Sequence, residues 1–219
     1  TLDKKKRISG TSPKVSMSFL DMKVLKIKKW VDQNGFFIFI CVILLSTLFY
    51  FKRANKFFPI IEPILEKNNI PNDFKYLAII ESGLMNIVSP AGATGFWQFM
   101  KGTAKDRGME VNEEVDERLE LIRATSAAAR YFKLAYKNFD NWTMAAASYN
   151  MGISGLERQV KKQKPDTFYD LKLNKETYRY VFKAIAFKEI YENQAKYEFA
   201  PQIAQSPDDD LKSFELDQS

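Results

Sequence analysis

The stretch ESGLMNIVSPAGATGFWQFM, residues 81–100, directly follows an apolar run that predicts a buried helix. That helix ends on a single carboxylate, Glu81. Its position at the negative end of the helix dipole and its apolar neighbours both disfavour a charged side chain, so we expect a raised pKa for Glu81. A carboxyl group of this kind suits a general acid at neutral pH. The alternative at this point is a glutamate that faces solvent at a helix end.

The residues after Glu81 predict a tight loop close to the carboxylate. Pro90, Gly92 and Gly95 permit sharp turns and close approach of the backbone. Large apolar side chains follow, Trp97 among them, and they are more numerous than an exposed loop requires. They could floor a sugar-binding groove in which Gln98 supplies a donor and an acceptor. A loop that packs on its own core would also explain the aromatic residues.

The composition excludes several kinds of chemistry. The chain has 219 residues and no histidine, which rules out Ser-His-Asp and Cys-His catalysis and any His-ligated metal site. Its one cysteine, Cys41, cannot form an intrachain disulfide. We therefore expect the chemistry to come from carboxylates, hydroxyls, amides, Lys/Arg or backbone groups, and we predict no cofactor and no metal.

The positive charge is confined to the N-terminal part of the chain. The net charge is +6, and residues 1–51 alone carry nine Lys/Arg against three Asp/Glu, so the remaining residues are balanced. A balanced domain does not predict a nucleic-acid-binding face, and we expect no nucleic-acid partner.

The run FFIFICVILLSTLFYF, residues 36–51, predicts a transmembrane signal anchor. As a helix it would extend about 24 Å, close to the thickness of a bilayer core. Lysines crowd its N-terminal side, which places residues 1–35, a basic segment, in the cytoplasm and the rest outside. A cleaved signal peptide is disfavoured because no small-x-small site follows. A buried core helix is the remaining alternative.

The remaining chain predicts an all-α domain. Apolar residues recur at helical spacing in five segments, and no alternating strand pattern or internal repeat is present. We expect a spacer helix over residues 52–70 and a catalytic domain over residues 71–198. A disordered acidic tail is expected over residues 199–219. The five helices are predicted within residues 57–71, 71–82, 118–139, 141–152 and 176–193, with Asn174 as the N-cap of the last.

Four motifs in order connect this chain to a known family. They are ESG at 81–83, SPAGATGFWQFM at 89–100, ASYNMG at 147–152 and ETYRYV at 176–181. This order resembles the lytic transglycosylase domain, whose lysozyme-like fold is similar to goose-type lysozyme. The variant FWQFM, with DER at 116–118 and AAARY at 127–131, is most similar to the membrane-bound murein D type. The resemblance covers roughly residues 70–195.

The resemblance implies a role for each matching residue. Glu81 would be the single catalytic acid and base. Ser89 would bind the N-acetyl group or the sugar near the cleaved bond, and Tyr149 would help to hold substrate and carboxylate. Glu176 and Tyr180 would form the far wall of the groove. The full set of implied substrate-binding residues is Ser89, Gln98, Met100, Tyr149, Asn150, Glu176 and Tyr180.

The implied reaction is cleavage of peptidoglycan between N-acetylmuramic acid and N-acetylglucosamine, with closure to a 1,6-anhydro end. The implied location is the inner membrane, with the catalytic domain in the periplasm and glycan strands as its partner. A lysozyme-like hydrolase on the same fold and a wall-binding scaffold without activity remain as alternatives. The residues identify no protein partner.

Overall fold

The computed structural model describes residues 46–197 and residue 199, and over these residues the fold is all-α, as predicted. Apart from isolated bridges in loops, the described residues contain no strand. Short 3₁₀ turns lie between several helices. The helices are residues 46–67 (α1), Lys75–Ser82 (α2), Lys101–Asp106 (α3), Leu121–Phe139 (α4), Trp142–Met151 (α5), Ile153–Gln163 (α6) and Lys175–Glu192 (α7).

Helix α2 forms and ends as predicted. A 3₁₀ turn, Asn72–Phe74, follows Pro71 and leads into α2. Gly83 then closes the helix with φ 63°, a left-handed conformation that glycine adopts without steric cost, and its N–H donates to the Ile79 carbonyl. Most of α2 is buried, which leaves Glu81 in its last turn at the edge of the core.

Small residues bring the central helices together. Helix α4 packs against α5, and α5 packs in turn against α6 and α7. Alanine side chains are buried on the facing sides of α4 and α5, so the two backbones can approach closely. The side chains of Asn141 and Asn174 cap α5 and α7, as predicted for Asn174. This packing places α2, α5 and α7 side by side.

Helix α1 is longer than the segment predicted at 57–71 and belongs to the domain core. It is already helical at residue 46 and shares the core with α2 and α7 through Phe58, Ile61 and Leu65. The Tyr191 hydroxyl donates to Asn55 Oδ1 at 2.6 Å. The segment that we expected to be a spacer, residues 52–70, therefore packs on the domain, because Phe58 of its apolar stripe meets the ring of Tyr191 in α7.

Several predictions fall on residues that the structure does not describe. The basic segment 1–35, most of the predicted span 36–51 and the acidic tail 199–219 beyond Phe199 lie outside the described residues. No helix within residues 46–197 is both long enough and apolar enough to cross a bilayer.

The sequence reading missed α3 and α6. Helix α3 has only six residues, too few to show a helical period. Helix α6 has few apolar residues, although Ile153, Leu156 and Val160 follow helical spacing, and Gly155 lowers its intrinsic helix propensity.

Candidate active site

Glu81 is a half-buried carboxyl group with one direct hydrogen-bond partner among the described residues. The Tyr180 hydroxyl donates to Glu81 Oε1 at 2.7 Å, from α7 to the end of α2. Burial raises the pKa of Glu81 from 4.5 to about 7, although the hydrogen bond from Tyr180 acts in the opposite direction. The negative charge of Glu176 raises the pKa further. Glu81 can therefore hold a proton near neutral pH, as we expected from its place in the helix.

The start of α7 and the end of α5 form a second polar cluster beside Glu81. Asn150 Nδ2 donates to Glu176 Oε1 at 3.3 Å, and the Thr177 hydroxyl donates to Asn150 Oδ1 at 2.7 Å. Glu176 is exposed, whereas Thr177 is fully buried. Thr177 thus orients the amide of Asn150, and this amide in turn holds Glu176 at the surface.

Tyr149 supports the loop. Its hydroxyl donates to the Trp97 carbonyl at 2.8 Å, and its ring lies 5.0 Å from the rings of Tyr131 and Phe132. Burial, followed by the charge of Glu81, raises its pKa well above the usual value. The direct hydrogen-bond partner of the carboxyl is Tyr180, and the expectation that Tyr149 helps to hold substrate and carboxylate stays a prediction.

Two predicted sugar-binding side chains, Ser89 and Gln98, shape the loop between α2 and α3. Ser89 Oγ accepts from the Ala93 N–H at 3.0 Å. Gln98 Nε2 donates to the carbonyls of Gly95 and Ile87 at 2.8 and 3.0 Å. The Ser89 hydroxyl proton and the Gln98 side-chain oxygen take no part in these bonds.

Met100 is an exposed apolar residue of the same loop. It lies at the end of the loop, just before α3, and 47% of its surface is exposed. An apolar side chain in this position is open to a ligand.

The same loop is anchored to the helices at two buried points. Ser82 Oγ donates to the Phe96 carbonyl at 2.7 Å, which joins the residue after Glu81 to the aromatic part of the loop. Trp97 Nε1 donates to Thr125 Oγ1 at 2.9 Å, and both side chains are fully buried. The aromatic residues therefore belong to the core under the loop, as the alternative interpretation of this segment held.

An ion pair between a buried arginine and a partly exposed aspartate holds the loop, and no role for it was predicted from the sequence. Arg118 binds both oxygens of Asp116, at 2.8 and 2.7 Å, and also donates to the carbonyls of Gly92 and Phe99. These bonds lower the pKa of Asp116. At Gly95 (φ 82°) a Cβ would lie 1.9 Å from the Arg118 carbonyl oxygen, so only glycine fits. The spacing Asp-x-Arg was visible in the sequence, but not its target.

A separate apolar cavity of about 350 Å³ lies among α2, α5 and α7. Leu77, Ala146 and Val181 line it together with the Asp73–Lys188 ion pair, and none of the predicted site residues does so. The polar chemistry instead collects at the other ends of the same helices, around Glu81. Over residues 46–197, no three Asp, Glu or Cys side chains come together as candidate metal ligands.

Comparison with known proteins agrees with this geometry. The membrane-bound lytic murein transglycosylase D of Escherichia coli strain K12 is 30% identical over 151 residues, which are 66% of this chain and 33% of the relative. The protein of that name from Escherichia coli O6:H1 strain CFT073 matches equally. The chain thus spans about a third of the length of these relatives. The Transglycosylase SLT domain matches residues 58–171, more than half of the chain, and the chain belongs to this family.

Proposed function

We propose that this chain is a peptidoglycan lytic transglycosylase in which Glu81 acts first as acid and then as base. The observation that supports it most is the half-buried Glu81 carboxyl, which has a pKa of about 7 and accepts a hydrogen bond from Tyr180. A carboxyl that is about half protonated at pH 7 can serve in both roles. Family membership and the name of the matched relatives support the same reaction class.

The proposed reaction cleaves the β-1,4 bond between N-acetylmuramic acid and N-acetylglucosamine. The Glu81 proton passes to the glycosidic oxygen as the bond from that oxygen to the muramic anomeric carbon breaks. The N-acetyl group of the same sugar steadies the positive charge that develops on the ring. Ionised Glu81 then removes the proton of the 6-hydroxyl, whose oxygen bonds to the anomeric carbon. Glu81 ends protonated, and the product carries a 1,6-anhydro end without the addition of water.

The free polar atoms of the loop between α2 and α3 and of α7 would hold the glycan. The Ser89 hydroxyl and the Gln98 side-chain oxygen are proposed to meet the sugars from the loop side. Glu176, held by Asn150, is proposed to meet them from the α7 side. Met100 would supply apolar contact with a sugar face. Tyr149 acts in this proposal through the Trp97 carbonyl, as a positioning residue.

The influence of Glu176 on Glu81 keeps a lysozyme-like hydrolase as the second candidate. Glycoside hydrolases use two carboxylates, and Glu176 is close enough to raise the pKa of Glu81. A hydrolase would need Glu176 to activate water, so Glu176→Gln would abolish cleavage. The transglycosylase requires no second carboxylate, and Glu176→Gln should retain cleavage with weaker sugar binding.

We further propose that the chain is anchored in the inner membrane with the α1–α7 domain in the periplasm. The apolar run 36–51 and the lysines before it support this topology, and the matched relatives are described as membrane-bound. Phe51 is buried in the domain, so the lipid-embedded part would end before that residue. Protease protection in spheroplasts tests the topology, since a domain resistant to external protease would contradict it.

The reaction is tested by mass spectrometry of products released from purified wall sacculi. The proposal predicts muropeptides that end in 1,6-anhydromuramic acid and none with Glu81→Gln, provided that this variant keeps the parent circular dichroism spectrum. Products with free reducing ends would identify the hydrolase instead. Binding to sacculi without release by either protein would identify the scaffold.

A further inference from the structure

Three basic residues form an exposed stripe along α7. Lys175, Arg179 and Lys183 are four residues apart, so their side chains follow one another on one side of the helix. All three are exposed, and none forms an ion pair with any of the described residues. The stripe extends about 12 Å along the helix axis.

The stripe borders the candidate active site. Glu176 lies next to Lys175 in the chain, three residues before Arg179 and seven before Lys183, which places it along the edge of the same stripe. Glu176 is fixed to Asn150 and is electrostatically coupled to Glu81. A polymer lying across Glu81 and Glu176 would therefore pass directly beside the three cations.

The positive charge around the stripe is not neutralised locally. Residues 157–183 contain eight Lys/Arg and four Asp/Glu. Another segment has the opposite balance of charge, since residues 110–120 contain six acidic residues and one arginine. The stripe thus faces outward with a surplus of positive charge, which favours an anionic ligand.

We propose that this stripe binds the carboxylates of the stem peptides that branch from peptidoglycan, while the glycan strand lies in the groove. The inference rests on the proposed function, because the strand in the groove brings the peptide to α7. The positive charge of the stripe is complementary to an anionic peptide. Four residues of an extended peptide reach about 13 Å, which is enough to follow the stripe. The stripe thereby distinguishes glycan that carries peptides from glycan that has lost them.

The test uses the full chain and two substrates, intact sacculi and glycan strands from which an amidase has removed the peptides. The triple variant Lys175→Gln, Arg179→Gln and Lys183→Gln should lose about tenfold in kcat/KM on intact sacculi, the size expected for three exposed ion pairs. On peptide-free strands it should match the parent. Raising the salt concentration should narrow the difference on sacculi, because salt screens exposed charges.

Two control variants separate the stripe from net charge and from folding. Lys67→Gln, Lys105→Gln and Lys137→Gln together remove the same charge from exposed positions on α1, α3 and α4. This triple should behave as the parent on both substrates. A second triple, Lys175→Arg, Arg179→Lys and Lys183→Arg, keeps the charge and should keep the activity.

Three results would overturn the inference. The first is an unchanged kcat/KM of the stripe variant on sacculi, and the second is an equal loss of kcat/KM on both substrates. The third is a loss of kcat/KM that occurs only when the enzyme is held in anionic nanodiscs and not in neutral ones. The last would assign the face to the membrane. If the parent cleaves neither intact sacculi nor peptide-free strands, the proposed function itself fails, and this outcome is distinct from the three above.

Discussion

Replacing Glu81 by glutamine should stabilise the fold at neutral pH while abolishing the proposed chemistry. In the folded state the carboxyl titrates at about 7, whereas its ordinary pKa is 4.5. The folded protein therefore binds more protons than the unfolded chain between these values, so the parent loses stability as pH rises from about 4.5 to 7. At about 1.4 kcal/mol per pKa unit, the loss amounts to about 3 kcal/mol.

Glutamine carries no charge at any pH and still offers an oxygen to Tyr180. The free energy of unfolding of the variant should therefore equal that of the parent near pH 4 and be about 3 kcal/mol larger above pH 7. Thermal unfolding followed by circular dichroism at pH 4, 6 and 8 measures this, since 1 kcal/mol shifts Tm by about 2–4 °C in a chain of this size.

The matched control is Glu113→Gln, which changes the same side chain at an exposed position. It should show no pH-dependent gain. A Glu81→Gln protein whose difference from the parent is the same at pH 4 and pH 8 would refute the claim that burial keeps this carboxyl protonated.

Three further predictions follow from the contacts of the site. Tyr180→Phe removes the hydrogen bond that lowers the pKa of Glu81, so the alkaline limb of the kcat/KM profile should move to higher pH; an unmoved limb would exclude this role. Glu176→Gln removes a like charge and should move that limb to lower pH, and a shift upward would contradict the assignment. Gly95→Ala should cost more stability than Gly92→Ala, which costs about 1 kcal/mol from its φ alone; equal denaturation midpoints would argue against the steric contact at Gly95.

Local patterns predicted the helix that carries Glu81 because its cause is local. The apolar run before Glu81 and the glycine after it specify both the burial and the end of α2. The raised pKa follows from that same burial. The partner of the carboxyl does not follow, because Tyr180 is 99 residues away in the chain and only the packing of α7 on α2 brings it there.

The hydrogen-bond partners of side chains with several donor groups were the hardest to predict from the sequence. Gln98 was expected at the sugar, but its amide N–H groups bind the loop backbone. The role of Arg118 depends on two loop carbonyls that no pattern in the sequence marks. Likewise, the apolar stripe of the expected spacer, residues 52–70, is compatible with either a free helix or a packed one, and the partner of Phe58 and Asn55 is Tyr191 on α7, far away in the sequence.

The most direct test of the central claim is a carbon-detected NMR titration of protein labelled at glutamate side-chain carboxyls. The Glu81 signal is identified by its loss in Glu81→Gln. The account predicts a titration midpoint of about 7 for this carboxyl. A midpoint near the ordinary 4.5 would mean that Glu81 is ionised at neutral pH and would contradict its proposed role as the proton donor.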